Sequence, residues 1–222
     1  MAFRGFPPEA ISFYEGLEAD NSKSYWTANK AVYEQAVKEP FEALCAELDA
    51  EFGPIKMFRP YRDVRFSKDK APYKTGAAAA GESEGGAVYY VQLSSNGLFV
   101  GSGCYHMASD QLARFRAAVD DERTGGEVEQ ISSAMEKAGF DMAAHDELKT
   151  APRGYAKDHP RIVLLKRKGL IAGMGWPVAK WLQTAEAKRR VEQAWRKCGP
   201  LNEWLAAHVG PSEMAPDERE VR

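Results

Sequence analysis

The chain has 222 residues, 44% hydrophobic and 28% charged, with a formal net charge of −2. That length and balance suit a globular chain able to bury its own core, and they argue against disorder. A pI near 6.1 also differs from the basic profile of dedicated nucleic-acid modules.

Pro8 suits the first turn of a helix, and Ile11, Tyr14 and Leu17 follow at helical spacing. Asp20-Asn21-Ser22 breaks that helix and caps a second one. In the second, Trp26, Asn29, Tyr33, Val37, Phe41, Leu44 and Leu48 form one stripe, read as core, with a kink or restart expected at Pro40. Gly53-Pro54 ends the helical region. Residues 56–66 read as a strand, at a sheet edge or starting after Pro60, with Phe58, Arg62, Val64 and Phe66 on one face. Residues 75–86, rich in alanine and glycine, carry no periodic apolar face and read as a mobile surface loop.

Val88–Ser95 and Leu98–Tyr105 are strand-like runs around Asn96-Gly97, the preferred hairpin turn, with Leu93 expected opposite Val100. Ser109 or Asp110 caps a helix holding Leu112, Phe115 and Val119. Gly125-Gly126 is expected to separate it from a helix over 127–138. Pro160 starts a helix with Ile162, Leu164 and Leu165, and Leu170–Trp176 reads as a short strand. The remainder is helical, with Val191, Trp195, Cys198, Leu201, Trp204 and Leu205 inward and Gly199-Pro200 as a break. The fold class expected is α+β: an antiparallel sheet with a central β-hairpin, packed by N-terminal and C-terminal helices. It forms one domain over 5–208, followed by a polar, frayed tail over 209–222.

The chemistry concentrates in Phe58–Thr75. Arg59, Arg62, Arg65, Lys68, Lys70 and Lys74 are cationic there, opposed by Asp63 and Asp69, with Tyr61 and Tyr73 interleaved. Guanidinium forks match phosphate and carboxylate oxygens, lysines add mobile charge, and a tyrosine ring can stack or donate its hydroxyl. The competing account pairs Asp63 with the flanking arginines and leaves the lysines solvated. Arg62 is also open to a second reading, as a buried structural arginine.

A second dense stretch, Pro152–Arg161, adds Arg153 to the ligand-binding candidates. Asp158 and His159 are the candidates for general acid–base work if the two stretches share a cleft; His159 before Pro160 equally suits a helix cap. No nucleophile elbow, His-Glu-x-x-His pair, phosphate loop or dinucleotide fingerprint is present, so enzyme status and cofactor stay open and no metal site is named. Cys45, Cys104 and Cys198 lie far apart and outside any zinc-ligand spacing, which points to reduced, buried thiols. No secretory leader stands at the N-terminus and no apolar run approaches the roughly 18–20 residues of a membrane span, so a soluble, cytoplasmic protein without a membrane partner is expected.

Tyr25-Trp26 with Tyr33-Glu34, the whole of Phe58–Thr75, Tyr89–Ser94, Gly97–Gly101 and Pro152–Arg161 occur in an order that resembles the bacterial and fungal family catalogued as domain of unknown function 2461. The likeness runs over roughly residues 5 to 208. It implies a single intracellular α+β domain and carries no catalytic residue, cofactor or substrate. Relatives keep a more strand-like stretch where this chain has its alanine- and glycine-rich 76–86. The reading reached is a protein that binds a phosphorylated or other anionic small molecule through Phe58–Thr75. The alternative is a module without catalysis, binding single-stranded nucleic acid or another protein.

Overall fold

The computed structural model describes residues 2–63, 65, 70–82 and 86–214. Its helices and antiparallel sheet make an α+β fold. Among the described residues the sheet has six strands, β1 (Ile55–Met57), β2 (Gly76–Glu82), β3 (Val88–Ser94), β4 (Gly97–Cys104), β5 (Asp141–Ala143) and β6 (Leu170–Trp176), in the order β1-β2-β3-β4-β6-β5. Two compact units divide the chain, one of Met1–Gly81, Tyr89–Val100 and Gly175–Ala194, the other of Glu82–Val88, Gly101–Met174 and Trp195–Arg222.

The first unit opens with α1 (Pro8–Ala19), with Pro8 in the first turn. Then comes α2 (Lys23–Val32), whose cap Ser22 accepts a hydrogen bond from the Tyr25 N–H at 3.1 Å. The stripe read as core is buried at Trp26, Tyr33, Val37, Phe41, Leu44 and Leu48. Its interruption takes a specific form. Pro40 has no N–H to give to a carbonyl four residues back, and its ring crowds the preceding turn. The chain widens there into a π-helical segment, Tyr33–Lys38, after which Glu39 N–H reaches back five residues to the Glu34 carbonyl. A regular helix, α3 (Glu39–Phe52), resumes with Pro40 in its first turn, and Gly53 ends it at φ 81°.

Two expectations change in this unit. Of the strand placed over 56–66, the described residues pair over β1 (Ile55–Met57) and through Phe58 N–H, at the edge of the sheet as one alternative had it; Pro60 cannot donate to a ladder, past it Tyr61 bridges Tyr73, and Val64 and Phe66 lie outside the described residues. The stretch read as a surface loop is strand β2 (Gly76–Glu82), which lies between β1 and β3. Its register sets Ile55 against Gly81 and Met57 against Ala79. Alanine and glycine give no apolar–polar contrast, so alternation is invisible in the sequence. The space is nevertheless occupied: a Cβ on Gly76 would stand 2.9 Å from the Leu93 carbonyl oxygen, and one on Gly81 2.8 Å from that of Pro54.

Strand β3 (Val88–Ser94) and β4 (Gly97–Cys104) form the expected hairpin, with the turn one residue earlier, at Ser95-Asn96. A two-residue turn there sets Leu93 opposite Leu98 instead of Val100, leaving the same residues on the same face. Along β1–β4 the buried face carries Ile55, Ala77, Ala79, Val91, Leu93, Leu98 and Val100. The opposite face carries Lys56, Gly76, Ala78, Ala80, Tyr90, Gln92 and Phe99, continued by Phe58, whose N–H donates to the Ala78 carbonyl at 2.8 Å.

In the second unit α4 (Ser109–Asp120) begins at Ser109 itself, and the Gln111 amide oxygen accepts from Ala108 N–H, so neither Ser109 nor Asp110 is the cap. Next is α5 (Glu122–Lys137), capped by Asp121. It runs straight through Gly125-Gly126, which does not divide it. Gly125 is required because a Cβ there would strike the Val119 carbonyl and the Arg161 guanidinium. Then follow β5 (Asp141–Ala143), α6 (Ile162–Lys166) and β6 (Leu170–Trp176), with β5 antiparallel to β6.

A 3-10 turn (Lys180–Gln183), α7 (Glu186–Lys197) and α8 (Gly199–His208) complete the order. The inward stripe from Val191 to Leu205 is buried as expected. Of the tail expected to fray, residues 209–214 are tied to α4. Arg114 donates to the Val209 and Pro211 carbonyls, and Asp110 accepts from the Ser212 hydroxyl and Glu213 N–H, both at 2.9 Å. Residues 215–222 lie outside the described residues.

Candidate functional site

The two described limbs of the cationic stretch, which we call the arc, are tied together where they meet the sheet. Arg62 N–H donates to the Pro72 carbonyl at 2.9 Å, and Lys74 N–H to that of Pro60 at 2.8 Å. One side chain locks the returning limb. The Asn21 amide accepts from Tyr73 N–H and donates to the Tyr73 carbonyl, each at 3.1 Å, doing the work of a neighbouring strand. The Tyr73 ring then stacks on Trp26, 4.3 Å between centroids and 5° from parallel. Tyr73 is therefore buried, and it does not offer the free stacking face expected of it. Burial, with Tyr61 nearby, raises its hydroxyl pKa.

The cations sort into distinct roles. Arg65 is taken by Asp63: Nη2 lies 2.6 Å from Oδ2 and Nε 3.0 Å from Oδ1. Bonds from Arg65, reinforced by the field of Arg59, hold the Asp63 carboxyl below its ordinary range. Arg62 and Lys70 are exposed, so Arg62 is no buried structural arginine. Lys68 lies outside the described residues.

Arg59 and Lys74 remain. The Lys74 ammonium stands 5.1 Å over the Phe58 ring, where burial and then the Arg59 charge lower its pKa. Among the described residues neither cation has a carboxylate partner within ion-pair distance. The two neighbouring cations repel one another.

Arg59 also lines an open cleft of about 340 Å³ between the arc and the π-helical segment. Its aromatic walls are Trp26, Tyr33, Phe58 and Tyr61; Tyr61 is 52% exposed. Its polar walls are Lys30, Glu34, Lys38 and Glu42, with Lys38 held by Glu34 at 2.9 Å. Burial, then Glu34 and Glu42, push the Tyr33 hydroxyl up to about 12, which keeps it a neutral donor at physiological pH. Sequence reasoning assigned Trp26 and Tyr33 to the core and passed over the residues beside them. The signal available was Pro40, which forces the wide turn that carries Glu34 and Lys38.

The second stretch belongs to the second unit. Arg161 donates to the carbonyls of Val119, Asp120 and Asp121, closing the C-terminus of α4. His159 supports it: Nδ1 accepts from Arg161 N–H at 3.0 Å, which leaves the proton on Nε2, 3.2 Å from Asp120. With both ring nitrogens engaged, His159 is a clip rather than a free base. Asp158 and Arg153 are exposed.

Fold and site thus define an α+β protein with two neighbouring cations, Arg59 and Lys74, beside an aromatic cleft. The chain belongs to the family of conserved hypothetical proteins DUF2461, whose model matches residues 9–204. No curated protein matches the chain, and no solved structure does. Among the described residues no helix is long and apolar enough to cross a membrane.

Proposed function

We propose that the Phe58–Thr75 arc binds a small anionic molecule, with its phosphate or carboxylate on Arg59 and Lys74 and its body against Phe58 and Tyr61. The observation that carries this is the pairing of these two cations, one half-buried on an aromatic ring, with no carboxylate partner among the described residues. Holding them together costs electrostatic energy that an anion recovers, with charge-assisted bonds in addition. Three buried thiols without a disulfide fit a reducing compartment, and we place the protein in the cytoplasm.

Thermal unfolding against nucleotides, sugar phosphates, carboxylates and inorganic phosphate, at low and high salt, tests the reading. A ligand at about a hundred times its Kd stabilises the fold by roughly 2.7 kcal/mol, several degrees in Tm. The shift is expected in the parent and in Arg65→Ala, whose guanidinium serves Asp63, and not in Arg59→Ala or Lys74→Ala. Equal shifts in all four proteins, or none in any, would overturn it.

A further inference from the structure

The two walls of the cleft differ in charge. On the arc side the charged lining residue is Arg59. On the helical side Lys38 feels both Glu34 and Glu42, and it is bonded to Glu34 at 2.9 Å. Glu42 is left exposed on the cleft, with no cation within ion-pair distance among the described residues. Lys30, exposed on α2, stands about three turns earlier on the helical path, too far back to neutralise it.

Titrating groups on each wall register the difference. Burial, then Glu34 and Glu42, raise the Tyr33 hydroxyl. The share due to the two acids is a local negative potential, which favours a cation placed there. On the arc, burial and then Arg59 lower the Lys74 ammonium. Bonds from Arg65, and then the Arg59 charge, lower the Asp63 carboxyl. Both directions are those of a positive potential.

Between the charges stands the open ring of Tyr61, its centroid 6.0 Å from that of Trp26. A simple anion on Arg59 leaves the Glu42 carboxylate unanswered, and the negative potential of that wall works against it. A ligand that also carries an ammonium group satisfies both walls. Size narrows the class further. About 340 Å³ lies at the small end of ligand pockets and suits a body the size of an amino acid better than a nucleotide.

We infer that the ligand of this cleft is a small zwitterion, with its carboxylate or phosphate on Arg59, its ammonium on Glu42 and its body against Tyr61. The inference rests on the anion reading for the acidic end; the Glu42 end is independent of it. The guanidinium fork takes two oxygens of the acid, and Glu42 accepts from the ammonium N–H.

The test is isothermal titration calorimetry of the full chain at low salt with matched probes. Phenylalanine is compared with 3-phenylpropanoate, which keeps the ring and the acid and lacks the amine, and with 2-phenylethylamine, which lacks the acid. Phosphoethanolamine and ethyl phosphate repeat the comparison with a phosphate head. For at least one head group the zwitterion is expected to bind about 5- to 10-fold more tightly than its amine-free partner. Glu42→Gln, at an exposed position, should keep the parent's Tm, abolish that ratio and leave the amine-free anion bound as before. Arg59→Ala should weaken both members of the pair. Equal affinities within both pairs, a ratio that survives Glu42→Gln, or no binding by any probe would each overturn the inference. If the amine-free anions bind the parent as tightly as the zwitterions and are lost in Arg59→Ala, the inference falls and the anion reading stands. Anions bound alike by the parent and Arg59→Ala would sink both.

Discussion

Asp110 shows how one exposed-edge residue can gather a segment. Its partial burial would by itself raise the carboxyl, but bonds from Glu213 N–H, the Ser212 hydroxyl, Gln111 N–H and Arg114 outweigh that and hold it at about 2. A carboxyl lowered on folding stabilises the native state above its unfolded value and loses that contribution as pH falls through the folded value. The contribution is thus complete above about pH 4 and drains away towards pH 2. Urea midpoints of the parent and Asp110→Asn should differ at pH 6 and converge as pH drops through that window; a constant gap would mean the carboxylate is not the tie. None of this was legible in the sequence, where Asp110 looked like a helix cap and the residues after 209 like a loose end. The same holds for Tyr73, whose burial depends on Asn21, and for Arg65, whose charge is cancelled by Asp63. Composition exposes a run of cations, while the partners that cancel some of them are set by the folded chain.

Elements with strong contrast in the sequence were readable. The aromatic stripe through Leu48, the inward stripe of the C-terminal helices, the hairpin and strand β6 over Leu170–Trp176 all follow from the period of apolar residues. Elements whose shape depends on closeness to other backbone were not. Strand β2 is written in alanine and glycine because both sides of it are crowded. The paired glycines of α5 looked like a boundary, and only one of them is needed. Gly125 touches the Val119 carbonyl and the Arg161 guanidinium, while a Cβ on Gly126 meets nothing within 4 Å. Gly126→Ala should therefore raise stability by about 0.5–1 kcal/mol through helix propensity. Gly125→Ala should lower it by about 1–3 kcal/mol by forcing the Arg161 clamp away. Urea denaturation measures both, and equal effects of the same sign would refute the contact.

At the scale of the whole molecule, the three thiols report on integrity. Cys45, Cys104 and Cys198 are buried, and burial is the first cause that pushes them up to about 12, 11 and 12. The thiolate is the reactive form, so a disulfide reagent at pH 8 should find almost nothing in the native protein and three equivalents in denaturant. A rapid native equivalent would show a thiol within reach of solvent. The division into two units has a further consequence, for the order in which the protein is made. The first unit takes its last segment from Gly175–Ala194, well after the chain has already entered and left the second. As the polypeptide emerges from the ribosome, the N-terminal helices and the cationic arc wait while residues 82–88 and 101–174 of the second unit are made, before their last segment, with most of α7, arrives. Folding of this unit is thus a late event of synthesis. A stop codon anywhere before residue 175 would leave its apolar face uncovered, a target for chaperones and proteases rather than a smaller working module.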